Sequence, residues 1–79
     1  MEKTQHTRDY RKLVAALRKA REAAGLTQQQ VAQELGLYAS FVSKVEKGER
    51  RLDVVELAAF CRVYQADLVR LLRDAGITG

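Results

Sequence analysis

The segment from Leu26 to Gly48 constrains the fold most, because its capping residues and apolar spacing predict two short helices joined by a tight turn. Thr27 can cap the first helix with its side-chain oxygen, and Gln30, three residues later, can reach back to the cap. This reciprocal arrangement is a capping box, and it predicts a helix from about Thr27 to Leu35.

A glycine separates this helix from a second apolar stripe. Gly36 falls where the first helix should stop, at a position that often needs a positive φ. Phe41, Val42 and Val45 then follow at helical spacing, and Gly48 ends the second helix. Because so few residues join the two helices, we expect them to cross steeply rather than to pack as a hairpin.

The composition predicts a small all-α domain. The chain has 79 residues, enough for one domain, and a hydrophobic content of 47% is ample for a compact core. It has no proline, and no alternation of β-branched residues indicates a sheet. We predict a flexible N-terminal arm at 1–7, a compact five-helix domain at 8–75 and a short tail at 76–79.

Capping signals mark the other three helices. Thr7 is positioned to cap a helix over about 8–24. Asp53 with Glu56 has the spacing of a second capping box, which predicts a fourth helix from this point. Asp67 is positioned to cap a fifth helix.

Several function classes lack support in the sequence. Cys61 is the single cysteine, and its place in an apolar stripe predicts a small buried side chain rather than a nucleophile. His6 has no neighbours at metal-ligand spacing, which favours a solvated histidine. No apolar run has the length of a signal or transmembrane segment. We therefore expect that the protein is not an enzyme, binds no cofactor or metal and does not associate with a membrane. A single cysteine cannot form a disulfide within the chain, which fits a reducing cytoplasm.

Five short motifs, in order, make the sequence resemble a known family. They are Leu26-Thr27-Gln28, Leu35-Gly36, Phe41-Val42-Ser43-Lys44, Glu46-x-Gly48 and Arg50-Arg51-Leu52-Asp53. With them the chain resembles the Cro/C1-type (XRE) family of helix-turn-helix DNA-binding domains over nearly its whole length. The resemblance implies a lambda-repressor-like bundle of about five helices, in which a recognition helix, here about 39–47, lies in the DNA major groove.

The resemblance also assigns roles to residues that orient the recognition helix. Gln28 matches a glutamine that touches a phosphate and braces that helix, and the alternative is a generic first-turn residue. Arg21 and Glu46 match a charged pair that ties the first helix to the end of the third. We expect a partly buried salt bridge here, the alternative being two independent surface charges.

The recognition helix divides into a core side and a groove side. Five residues are expected at the groove: Tyr38, Ala39, Ser40, Ser43 and Lys44. Lys44 is the best candidate for reading a base, since lysine can donate to guanine O6 and N7. Ala39 offers only a methyl contact, and the two serines specify little alone. Tyr38 cannot cap the helix as a serine or threonine would; its hydroxyl reaches a phosphate, or its ring is a lid packed on the turn.

Basic residues follow the recognition helix directly. Lys47 and Arg50 are expected to contact DNA phosphates, and Arg51 either joins them or packs near Asp53. The net charge of +4 is consistent with an anionic partner, although many small domains are mildly basic.

The resemblance implies a sequence-specific double-stranded DNA-binding transcriptional regulator, repressor-like, of a prokaryotic or phage cytoplasm and its nucleoid. One recognition helix reads few base pairs, so we expect a homodimer on a palindromic operator. The C-terminal helix would form the dimer seam through Leu68, Leu71 and Leu72, with Val69 and Ile77 beside them; alternatively these leucines complete the monomer core. No small-molecule effector is evident. The alternative function is an antitoxin or adaptor module that reuses the fold for protein interaction.

Overall fold

The fold is a bundle of five helices, seen in a computed structural model that describes the backbone of residues 3–77 and the side chains of residues 7–77. The helices are α1 (Lys3–Ala23), α2 (Gln28–Leu35), α3 (Ala39–Glu46), α4 (Val54–Tyr64) and α5 (Leu68–Asp74). The described backbone contains no strand. The all-α, five-helix fold class predicted from the sequence is therefore confirmed.

The start of α1 differs from the prediction. The helix begins at Lys3 rather than Arg8, so Thr7 lies inside it and does not cap it. No glycine or proline interrupts this stretch, and extending an existing helix adds one hydrogen bond for each residue fixed. Met1 and Glu2 of the predicted arm, Thr78 and Gly79 of the predicted tail, and the side chain of His6 lie outside the described residues.

The caps of α2 form as predicted. The Thr27 side chain accepts from the Gln30 amide at 3.1 Å, and the Gln30 side chain accepts from the Thr27 amide at 2.8 Å. Gly36 ends the helix with φ +69°, in the left-handed region. The Leu37 amide then donates to the Ala32 carbonyl at 2.8 Å, which closes the helix before the turn into α3.

The caps of α4 and α5 also match the prediction. Asp53 and Glu56 exchange backbone-to-side-chain bonds of 2.7 and 2.9 Å, the second capping box. The Asp67 carboxylate accepts from the Arg70 amide at 3.0 Å. These local bonds set where each helix begins, and hence how the α3–α4 loop enters α4.

All five helices contribute to one core. Its buried residues are Val14, Leu17, Val31, Ala32, Val42, Val45, Leu57, Phe60, Cys61, Tyr64 and Leu71. The rings of Phe60 and Tyr64 meet edge to face at 6.1 Å between centroids. Cys61 is buried as predicted, and burial raises the pKa of its thiol, which disfavours the reactive thiolate.

The apolar residues of α5 serve mainly the monomer. Leu71 is buried, and Leu68 packs against the core. Val69, on the same helix, is 59% exposed. Of the residues proposed for a dimer seam, Leu68 and Leu71 thus already take part in the monomer core, and Val69 remains accessible.

Candidate nucleic-acid interface

Helix α3 is anchored by one side and exposed on the other. Val42 and Val45 are 0% and 1% exposed and insert into the core, as predicted. Ser40 and Lys44 are exposed, and Ser43 is half-buried. Because the apolar residues fix the rotation of α3 about its axis, the surface that carries Lys44 is held outward.

The N-terminus of α3 presents an exposed aromatic ring. Tyr38 is the N-cap residue, makes no side-chain capping bond and is 84% exposed. That exposure excludes a lid packed on the turn, one of the two interpretations of this residue. Ala39 is only partly exposed and packs against the core, so little of its methyl group is available for contact.

A single carboxylate connects three helices. Arg21 of α1 donates from Nε to Oε2 of Glu46 at 2.6 Å, and from Nη2 to Oε1 at 3.1 Å. Gln28 of α2 donates from Nε2 to the same Oε1 at 2.9 Å. The side chains of Arg21 and Glu46 are only 11% and 6% exposed, so the predicted partly buried salt bridge is confirmed.

This network fixes α3, because Glu46 is the last residue of that helix. Arg21 also donates to the Leu26 carbonyl at 2.8 Å, which holds its guanidinium in place. The hydrogen bond to Glu46 raises the pKa of Arg21 above its ordinary value. The hydrogen bond from Gln28 links α2 to the end of α3, which favours a bracing role for Gln28 over a generic first-turn residue.

The side chain of Arg50 is exposed, but its guanidinium already has partners within the protein. Its guanidinium lies over the Phe41 ring at 4.6 Å from the centroid. One of its nitrogens pairs with Glu56 Oε2 at 3.2 Å, and another donates to the Arg51 carbonyl at 3.2 Å. The sequence suggested a packing role only for Arg51, but Arg50 also packs within the protein.

Arg51 packs on α1 rather than near Asp53. Its guanidinium lies over the ring of Tyr10, 4.3 Å from the centroid. The Tyr10 hydroxyl accepts a hydrogen bond from the Leu52 amide at 3.0 Å. Sequence reasoning missed Tyr10, although its spacing to Val14 and Leu17 continues the apolar stripe of α1 and could have indicated a contact.

The predicted interface residues differ in how exposed they are. Ser40, Lys44 and Lys47 are exposed along and just beyond α3, and Tyr38 is exposed at its start. Gln28 donates to Glu46 and Arg50 donates to Glu56. Two short helices, a tight glycine turn and an outward-facing second helix with a basic C-terminus define a helix-turn-helix protein.

Comparisons with known proteins agree with this class. Residues 12–75 match the family described as a helix-turn-helix domain. An XRE-family like protein from Pseudomonas syringae pv. tomato str. DC3000 has a solved structure with 47% identity and a TM-score of 0.87, covering 94% of this chain and 90% of that one. The chain belongs to the XRE family of helix-turn-helix domains.

A more distant structure shares the fold. The clp gene regulator ClgR from C. glutamicum is 26% identical, with a TM-score of 0.79, and the match covers 86% of this chain and 87% of that one. A search of curated proteins found no match. Among the described residues, no helix has both the length and the apolar character needed to cross a membrane.

Proposed function

We propose that this protein is a sequence-specific double-stranded DNA-binding transcriptional regulator that places α3 in the major groove. The observation that carries the proposal is the Arg21–Gln28–Glu46 network, which orients a helix whose outer surface bears Ser40 and Lys44. An α-helix fits the major groove, where each base pair presents a distinct pattern of donors and acceptors. The description of the related ClgR as a gene regulator supports this function.

The proposal divides base contacts from phosphate contacts. Lys44 is the base reader, with Ser40, Ser43 and the partly covered Ala39 beside it. Phosphate contacts come from Gln28, Tyr38, Lys47 and Arg50, and these add affinity without sequence information. The Arg50 contact requires its guanidinium to exchange Glu56 for a phosphate, so its net gain is reduced.

Specificity then depends on more than direct readout. The exposed surface of α3 has one long donor, Lys44, among short side chains, so we propose that DNA shape and half-site spacing carry part of the discrimination. A repressor-like homodimer through α5, bound to a palindromic operator with half-sites ~34 Å apart, supplies that spacing.

Selection of bound sites from random duplex DNA tests the proposal. We expect enriched sequences with a two-fold repeat at about one helical turn, and binding that weakens steeply with salt. Failure of the parent protein to bind any duplex at low salt would refute the function and favour the antitoxin or adaptor alternative.

Lys44→Ala tests the base reader. On the selected operator this variant should lose on the order of 1–3 kcal/mol and relax one base position. Lys12→Ala removes the same charge from an exposed position on α1 and is the matched control. Equal losses in the two variants would mean that Lys44 contributes only charge.

A further inference from the structure

The loop between α3 and α4 is held against α1 by one tyrosine. The Tyr10 hydroxyl accepts from the Leu52 amide at 3.0 Å, and its 3.4 Å contact with the Arg50 carbonyl is too long to add much. The same ring carries the Arg51 guanidinium at 4.3 Å. Tyr10 therefore contacts three consecutive loop residues from a position about forty residues earlier in the chain.

Stacking leaves Arg51 able to bind an anion. A guanidinium that lies on an aromatic face keeps its N–H donors around the edge, where they suit bidentate contact with phosphate. Among the side chains of residues 7–77, no carboxylate forms an ion pair with Arg51. Arg50 differs, because its donors are engaged with Glu56 and with the Arg51 carbonyl.

The surroundings of Arg51 are cationic. A groove between α1 and the loop is lined by Tyr10 together with Arg11, Lys19, Lys47 and Arg51. The two carboxylates of this groove, Glu22 and Glu46, are already paired with Arg18 and Arg21. The groove shares Lys47 with the proposed DNA surface, and Lys47 is the C-cap residue of α3.

We propose that Tyr10 is a positioning residue for DNA binding, which holds Arg51 and the α3–α4 loop so that Arg51 meets a backbone phosphate beside α3. The inference rests on the proposed function and adds to it two residues, Tyr10 and Arg51. A stacked, pre-oriented guanidinium loses less freedom on binding than a mobile one, so Tyr10 raises affinity without touching DNA. Because phosphates carry no sequence information, the effect is equal on all duplexes.

Arg51→Gln and Arg50→Gln make a matched pair for the first test. Affinity is measured against salt for the selected operator and for an unrelated duplex. We expect Arg51→Gln to weaken both duplexes by the same factor and to reduce the salt slope by about one unit. Arg50→Gln should lose less affinity, since Arg50 gives up Glu56 to reach DNA. A loss for Arg50→Gln that equals or exceeds that for Arg51→Gln would overturn the proposal.

Tyr10 variants test whether the ring acts through Arg51. Tyr10→Leu removes the stack and the hydroxyl, whereas Tyr10→Phe removes only the hydroxyl and should retain part of the affinity. The double variant Tyr10→Leu/Arg51→Gln closes a thermodynamic cycle. We expect Tyr10→Leu to weaken binding in the parent and to have a much smaller effect once Arg51 is replaced, with every variant assayed well below its unfolding temperature.

The outcomes distinguish the role of Tyr10 from the proposed DNA-binding function. Equal fold-losses for Tyr10→Leu in both backgrounds, with the parent binding DNA normally, would overturn the role of Tyr10 and leave the proposed function intact. A parent that binds no duplex at low salt would overturn both.

Discussion

At the scale of single residues, Glu46 links three helices through one carboxylate. Its carboxylate accepts from Nε and Nη2 of Arg21 and from Nε2 of Gln28, so its removal leaves three part-buried donor nitrogens without their acceptor. Breaking a buried ion pair from one side is costly because the other charge remains desolvated. Glu46→Ala should therefore lower the free energy of unfolding by about 3 kcal/mol in urea titrations.

Glu22→Ala is the control for this prediction. Glu22 pairs with Arg18, but the two side chains are 54% and 63% exposed, and an exposed pair contributes about 0.5 kcal/mol. DNA affinity, measured at a temperature where both variants are folded, should fall only for Glu46→Ala, since only that change releases α3. Similar stability of the two variants would contradict the structural importance of the buried pair.

The sequence predicted some residue roles and missed others for a physical reason. The caps of α2 and α4 depend on partners three residues apart, so the side chain and its acceptor are visible together in the sequence. Tyr10 and Leu52 are 42 positions apart, and only the packed bundle brings them together. The Arg21–Glu46 pair, 25 positions apart, is also long-range but was predicted, because the family resemblance carried that information.

At the scale of helices, α4 and the α3–α4 loop share one glutamate. Glu56 accepts from the Asp53 amide through Oε1 at 2.9 Å and pairs with Arg50 through Oε2 at 3.2 Å. Glutamine keeps the capping acceptor and removes the charge, since it also serves at the third position of a capping box. Glu56→Gln should leave the unfolding free energy within about 0.5 kcal/mol and tighten binding to every duplex, because Arg50 no longer gives up a carboxylate.

Glu49→Gln provides the comparison for charge alone. Glu49 lies in the same exposed loop and its replacement removes one negative charge without freeing Arg50. A larger gain in affinity for Glu56→Gln than for Glu49→Gln, lost again in the double variant Glu56→Gln/Arg50→Gln, is the expected result. Identical gains would show that only the net charge matters.

Helix boundaries show where element-level prediction fails. A glycine in the left-handed region ended α2 as predicted, because the backbone of Gly36 has φ +69°. Thr7 is a favourable capping residue but is tolerated in a helix interior at small cost, and the preceding residues continue the helix to Lys3. A capping residue alone therefore did not locate the start of α1, whereas the reciprocal capping boxes located α2 and α4.

At the scale of the whole molecule, the dimensions of one domain bear on the proposed dimer. Its principal extents are 37 × 23 × 20 Å and it offers one recognition helix, so the proposed palindrome, with half-sites ~34 Å apart, would take two copies. A second copy in contact doubles the number of base contacts, and specificity increases with each added base pair. The proposed dimer is therefore best tested through the exposed part of α5.

Val69→Glu tests the α5 seam, and Val55→Glu is its matched control. The two valines are 59% and 74% exposed, on α5 and α4 respectively, so neither substitution buries a charge in the monomer. A charge placed in an apolar seam is desolvated without a partner, so Val69→Glu should shift the protein to monomer in sedimentation velocity. Binding to the full operator should weaken, while binding to a single half-site should not change. Val55→Glu should leave the assembly and both affinities as in the parent.

Two results would contradict the proposed seam. A parent that sediments as a monomer and binds the full operator with one copy would rule out the dimer. A Val69→Glu protein that remains dimeric would show that the dimer does not form through α5.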